Sequence, residues 1–255
     1  MDRRSIRGYL DQYQNKEKVH KPRAVHVVVD ALYFGERKED TSWCIVVFRD
    51  PANQENLYWS FHGSETTTAY REGRACLESL GYTILSVTGD GFSGIRQGFY
   101  GIPYQMCLVH MERIVIKGTT RNPQTEAGKV LLALGRSLHN TSRLVFERRL
   151  REYGRQFHSF LSEKTFHGSG QWSYTHERVR DAYNSLVRLL PYLFTYEGDQ
   201  FINKTTNSLE GHFRHVEDIT AIHCGASRSS MEKILTTIAH ASTIAPNQQV
   251  VKKIL

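Results

Sequence analysis

Two aspartates each follow an apolar run that is typical of a buried β-strand. Asp30 is expected to end the strand in AVHVVVDALYF (24–34), and Asp90 to end the strand YTILSVTGD just before Gly91. A carboxylate beside a buried strand is costly unless it lies at the sheet edge with a partner such as a metal ion. Ligands gather at the carboxyl ends of strands in α/β sheets, so these acids could converge if their strands are neighbours. Two structural alternatives stay open: Asp90-Gly91 forms only a turn, and Asp30 caps the next segment of the chain.

A third acid lies in the segment TTNSLEGHFRHVEDI (205–219), which is predicted to be a helix capped by Thr206 or Asn207. The core-facing stripe of this helix is Leu209, Phe213, Val216 and Ile219. Glu210 lies about 100° from Leu209 on an ideal helix, near the edge of the buried face, where it could lean over a strand end. Glu217, two turns later, is its rival. The alternative is that both are solvated helix glutamates.

Cys107 and His110 are two metal-ligand types three residues apart and could form half of a zinc site. His223 and Cys224 are the remote source of a second pair. The alternative, which we favour, is that Cys107 packs in a strand while His110 contacts DNA or supports the active site. His212, near Glu210, suits a DNA contact or an ordinary surface position equally well.

The elements that must position these residues begin with five predicted strands. Their segments are 24–34, 42–48, 57–61, 82–90 and 104–110, with the second and third forming a hairpin. Helices are predicted after the third strand, from Thr66 to Leu80, and after the fourth, over 92–100. This order favours a mixed sheet with covering helices.

Beyond residue 111 the periodicity becomes helical. Helices are predicted over 124–139, from Thr141 or Ser142 to about Phe160, and over 174–190. Trp172 lies between the last two, in the loop HGSGQW. An all-helical stretch of about 80 residues is therefore expected before the helix that carries Glu210.

Composition excludes some classes of protein and favours one kind of partner. No apolar run reaches the roughly 18 residues needed to span a bilayer, and the basic N-terminus lacks the apolar core of a signal peptide. Four scattered cysteines suit a reducing cytosol. A net charge of +7 raises the expectation of a polyanionic partner. Basic residues that could follow DNA phosphates are Arg113, Lys117, Arg121, Arg143, Arg148, Arg149, Arg151 and Arg155.

Four blocks, in order, resemble bacterial insertion-sequence transposases of the Mutator-like (MULE) type: VVVDALYFG, SVTGDGFSGIRQGF, YQMCLVHMERIV and TTNSLEGHFRHVE. In that family the first two blocks each carry a catalytic Asp, a Cys-x-x-His pair follows, and the Glu begins a helix. The corresponding residues here are Asp30, Asp90, Cys107 with His110, and Glu210. The acids are 60 and 120 residues apart, and the family's helical insertion accounts for the longer gap. The resemblance covers about residues 24–240.

The resemblance implies a ribonuclease H-like fold: a five-stranded mixed sheet flanked by helices, with an all-helical insertion before the last catalytic helix. The expected organisation is a lead-in segment (1–23), a catalytic domain (24–118 and 201–245) and an insertion (119–200). Relatives of this type usually carry an N-terminal region that reads transposon ends, whereas only about 23 residues precede the first strand here.

The implied activity is a DDE transposase that cuts DNA and joins strands by two-metal phosphoryl transfer. Asp30, Asp90 and Glu210 would hold two Mg²⁺ or Mn²⁺ ions. The implied partners are double-stranded DNA (terminal inverted repeats and target) and a second copy of the chain, in the prokaryotic cytoplasm at the nucleoid. Cys107, His110, Arg113, Trp172 and His212 are the predicted DNA contacts, with Trp172 inserting near a transposon end. The alternatives are a ribonuclease H-like nuclease that does not join strands and an inactive DNA-binding remnant.

Overall fold

The computed structural model describes residues 17–35, 41–168, 170–222 and 225–241. They form a mixed α/β structure with a five-stranded sheet flanked by helices, as the strand pattern predicts. The sheet has the order β3-β2-β1-β4-β5. Its strands are β1 (Ala24–Phe34), β2 (Trp43–Asp50), β3 (Glu55–His62), β4 (Thr83–Gly89) and β5 (Tyr104–Met106).

The sheet is mixed because β1 has two kinds of neighbour. It pairs antiparallel with β2 and parallel with β4, and β2 pairs antiparallel with β3, which confirms the predicted hairpin. The connection from β3 to β4 contains α1 (Thr67–Ser79), and α2 (Ser93–Gly98) follows β4. All eight residues of β2 are buried, as expected for a strand covered on both faces.

The chain divides into two compact units. Among the described residues, the first, the sheet unit, comprises 17–35, 41–88, 92–103, 206–222 and 225–241, and the second, the helical unit, comprises 89–91, 104–168 and 170–205. The core of the sheet unit lies between the sheet and two C-terminal helices, α8 (Asn207–Ile222) and α9 (Arg228–Ala241). Val28, Ile45 and Val47 pack there with Leu209 and Phe213 of α8.

The helical unit contains α3 (Leu108–Thr119), α4 (Glu126–Ser137), α5 (Arg143–Gln156), α6 (His158–Ser162) and α7 (Glu177–Leu193). Short 3-10 turns follow α4 and α7, and Pro191 lies inside α7 without ending it. Phe146, Leu150 and Tyr153 form the predicted buried stripe of α5.

Three predictions about this region were wrong. The insertion is not all-helical, because β6 (Lys164–Phe166) and β7 (Trp172–Tyr174) form a two-stranded sheet. The strand predicted to reach residue 110 ends at Met106, and a helix begins at Leu108. The single helix predicted to reach Phe160 is interrupted at Phe157, whose backbone leaves the helical region.

Within the described residues, no helix is both long and apolar enough to cross a membrane.

Candidate functional site

Asp30 lies within β1, at the point where the strand changes from fully buried to half-buried. The prediction that it ends the strand was wrong, because β1 continues to Phe34. The fully buried run nevertheless stops at Val29, and the parallel pairing with β4 extends to Val28. Asp30 is half-buried, and its Oδ1 accepts the backbone N–H of Ala31 at 2.9 Å. The carboxylate therefore lies where β1 leaves its parallel neighbour.

Asp90 immediately follows β4 and is also half-buried. Its carbonyl oxygen accepts a hydrogen bond from the Tyr104 hydroxyl, and the carbonyl of Gly89 accepts the N–H of Cys107 at 2.8 Å. In the ladder between β1 and β4, Val28 pairs with Thr88. Asp30 lies two residues beyond that pair, within β1, and Asp90 lies two residues beyond it, after the end of β4.

Glu210 lies in the first turn of α8, after Leu209, which is fully buried against β1 and β2. Val28 and Leu32 pack in the same cluster, and side chains alternate along a strand, so Asp30 faces the α8 side of the sheet. Glu210 is half-buried, whereas Glu217 is exposed. These positions favour Glu210 over Glu217 as the partner of Asp30.

His212 belongs to a buried polar network that the sequence analysis did not find. Asn56 of β3 is completely buried, and its amide nitrogen lies 3.1 Å from His212 Nε2 and 3.2 Å from the carbonyl oxygen of Ala239. Its amide oxygen accepts a hydrogen bond from Arg49 Nη1 at 2.7 Å. The network thus joins β2, β3, α8 and α9. The only sequence signal was a pair of polar residues flanking the β2–β3 turn.

The surroundings of His212 keep its imidazole neutral. Burial lowers the pKa of His212 to about 4, with further electrostatic lowering by Arg49 and His215. A neutral Nε2 can accept the N–H of Asn56, which matches the observed geometry. His212 therefore has a structural partner inside the sheet unit, and its contact with DNA stays a prediction.

Cys107 and His110 lie at the start of α3. Cys107 does not pack in a strand as predicted: it is the buried residue before the helix, and the N–H of Leu108 donates to Lys204 O at 3.0 Å. His110 is half-buried within α3, and Arg113 is exposed one turn later. His223 and Cys224, the remote zinc partners, lie outside the described residues.

Trp172 is the first residue of β7 and not part of a loop, which corrects its predicted setting. It pairs with Phe166 of β6, and both side chains are exposed, Trp172 at 46% and Phe166 at 73%. The ammonium of Lys164 lies 3.7 Å from the centre of the indole ring. This hairpin presents an aromatic surface with a cation on it. The insertion of Trp172 near a DNA end stays a prediction.

The donor set of the candidate site suits hard divalent cations, because three carboxylates supply only oxygen ligands. Among the residues that the structure describes, no three His, Cys, Asp or Glu side chains are grouped closely enough to hold a metal ion. The metal-binding role of Asp30, Asp90 and Glu210 therefore stays a prediction.

No protein-family model matches the chain, and no curated protein is significantly similar to it.

Proposed function

We propose that this chain is the catalytic domain of a DDE DNA transposase with a ribonuclease H-like fold. It would cut and join double-stranded DNA at transposon ends as a homodimer, in the prokaryotic cytoplasm at the nucleoid. Asp30, Asp90 and Glu210 would be its catalytic acids, as the four sequence blocks suggest.

The observation that carries the proposal is the position of two acids relative to one pair of residues in β1 and β4. Asp30 and Asp90 both lie two residues beyond the Val28–Thr88 pair, Asp30 within β1 and Asp90 after the end of β4. The half-buried Glu210, in the helix that packs on the Asp30 face, supports the same role.

In such a reaction, the fold would hold the carboxylates of the acids in fixed positions. Strand pairing holds the backbone of Asp30, and the burial of Leu209 holds the first turn of α8 that carries Glu210. Divalent ions bound by the acids would supply a more acidic water nucleophile and stabilisation of the leaving oxygen.

The proposal is tested by incubating the full chain with supercoiled plasmid and a short duplex bearing a free 3′-hydroxyl, in Mg²⁺ or Mn²⁺. We expect nicking of the plasmid and joining of the duplex to it. Asp30→Asn, Asp90→Asn and Glu210→Gln should each lower both activities by at least about 100-fold, as expected when an interaction made in the transition state is lost.

Glu217→Gln is the matched control, because it is the same substitution on an exposed position of the same helix, and it should retain activity. Cutting without joining would identify a nuclease, and DNA binding without cutting would identify an inactive remnant. Either result would contradict the proposed transposase.

A further inference from the structure

The positive charge of the chain is concentrated in the helical unit. Residues 89–91 and 104–205 hold 15 Lys and Arg against 10 Asp and Glu, which gives +5 of the total +7. The rest of the chain accounts for the remaining +2. A polyanion would therefore be attracted mainly to the helical unit.

Several cations of the helical unit already have partners within it. Arg143 and Arg151 both lie within 4 Å of Glu147, at 2.7 and 3.9 Å. Arg178 donates to a backbone carbonyl of α3, and Lys164 lies over Trp172. These groups are less available to an external anion.

Five exposed cations line grooves beside α4, and within the described residues none of them forms an ion pair: Arg121, Lys129, Arg136, Arg148 and Arg149. We call this set the α4–α5 basic surface. Of the eight basic residues predicted from the sequence it keeps only Arg121, Arg148 and Arg149, and it adds Lys129 and Arg136.

The five cations line two shallow grooves that share Ala133 of α4. Arg148 and Arg149 line the groove between α4 and α5, together with one acid, Glu152. The second groove contains Arg121, Lys129 and Arg136 and no acidic residue. Since both grooves include Ala133, the cations form one continuous surface.

The spacing along α4 suits an extended anion. Lys129, Ala133 and Arg136 are all exposed and lie at i, i+4 and i+7, on one face of the helix. Lys129 and Arg136 are thus about 10 Å apart along the axis of α4, and both can face the same ligand. The small Ala133 between them lets a bulky backbone approach.

We propose that the α4–α5 basic surface binds the phosphodiester backbone of double-stranded DNA. The large exposed apolar side chains of the helical unit, including Leu144, Phe166 and Trp172, do not line either groove and provide no apolar anchor there. Apolar residues that do line the grooves, such as Leu132 and Leu134, are buried. Protein interfaces and membrane-binding helices rely on exposed apolar anchors. The inference rests on the proposed function for DNA as the polyanion, although backbone binding itself needs none of the three acids.

The test is fluorescence anisotropy of a 30-bp duplex of arbitrary sequence, titrated with the full chain at several salt concentrations. The double variants Lys129→Gln/Arg136→Gln and Arg148→Gln/Arg149→Gln should each weaken binding about tenfold or more. Each should also reduce the slope of log K against log salt by about 1 to 2, because each lost phosphate contact removes roughly 0.9.

The matched control is Arg143→Gln/Arg151→Gln, which removes the same charge from cations that already pair with Glu147. It should bind almost as the wild type does, and circular dichroism should show that every variant is folded. Equal losses in the control and test variants would overturn the proposal, as would wild-type binding by both test variants.

Two further binding measurements distinguish the remaining explanations. Binding to vesicles of equal parts phosphatidylserine and phosphatidylcholine, with no binding to DNA, would overturn the inference. Asp30→Asn should bind DNA as the wild type does. Charge-dependent binding by a chain that never cuts DNA would contradict the proposed function alone and leave this inference standing.

Discussion

Two carboxylates at the β2–β3 turn share one guanidinium. Arg23 Nη2 lies 2.6 Å from both Asp50 Oδ2 and Glu55 Oε2, and Lys18 reaches Glu55 at 2.5 Å. Burial alone would raise the pKa of Asp50 and of Glu55. Hydrogen bonds from Asn53 and Arg23 to Asp50, and from Lys18 and Arg23 to Glu55, outweigh it, so both pKa values lie below their ordinary ones.

This cluster predicts a loss of stability in acid. Groups whose pKa is lowered by folding stabilise the folded state fully above their ordinary pKa values, 3.8 and 4.5. That stability is lost as the pH falls through the lowered values. Urea unfolding should therefore show wild-type stability falling below about pH 5, and Arg23→Gln should show a weaker fall. If the unfolding free energy of Arg23→Gln fell with decreasing pH as steeply as that of the wild type, the attribution of this fall to Asp50 and Glu55 would be contradicted.

Loss of the buried Asn56 amide should destabilise the sheet unit through the hydrogen bonds that it makes. The completely buried amide of Asn56 accepts a hydrogen bond from Arg49, and the amide nitrogen lies within hydrogen-bond distance of His212 Nε2 and the Ala239 carbonyl oxygen. Asn56→Ala should lower the free energy of unfolding by about 2–4 kcal/mol, because a buried guanidinium loses its partner. Urea denaturation measures this, with the exposed Asn122→Ala as the control. A change within about 0.5 kcal/mol, the range seen for ordinary surface substitutions, would contradict it.

At the scale of elements, the sequence predicted the strands and helices whose apolar residues follow a clear local pattern. Buried strands such as β1 are apolar throughout, and α8 repeats Leu209, Phe213 and Val216 at helical spacing, so both were found. The start of α3 was missed because Leu108 and Val109 continue an apolar strand, although Leu108, Met111 and Val115 have helical spacing.

What periodicity could not provide is pairing between distant segments. The hairpin of β6 and β7 consists of two three-residue strands, too short to show alternation. The role of Asn56 depends on a helix 156 residues later in the chain. The pairing of Val28 with Thr88, which both acids follow by two residues, is likewise a property of the β1–β4 ladder that neither strand reveals alone.

The packing of α3 against α7 depends on a glycine. A Cβ at Gly118 would lie 2.6 Å from the carbonyl oxygen of Arg178 and 2.6 Å from the Cβ of Ala182. Since backbone cannot move aside cheaply, Gly118→Ala should destabilise the protein by about 1–3 kcal/mol.

Gly211→Ala is the control for that change, because nothing lies within 4 Å of a Cβ built at this helical position. There the alanine should stabilise the chain by about 0.4–1 kcal/mol. Thermal unfolding compares the two variants. Equal shifts of the unfolding temperature in the same direction would show that the close contact at Gly118 does not destabilise the alanine variant.

On the scale of the whole molecule, charge and candidate chemistry are distributed unequally. The helical unit holds +5 of the net charge and contains Asp90, whereas Asp30 and Glu210 belong to the sheet unit. Under the proposed function, the cations of the helical unit would contribute most to DNA affinity, while the three acids would contribute to cleavage. Loss of cleavage should therefore leave DNA binding measurable.

The central claim is that Asp30, Asp90 and Glu210 act together as cation ligands. Calorimetric titration of the full chain with Mn²⁺ tests it without requiring a DNA sequence. We predict that the wild type binds Mn²⁺, that Asp30→Asn, Asp90→Asn and Glu210→Gln each weaken binding at least about tenfold (about 1.4 kcal/mol), and that Glu217→Gln does not. Wild-type affinity in Asp90→Asn or Glu210→Gln, or no Mn²⁺ binding by the wild type, would contradict the account.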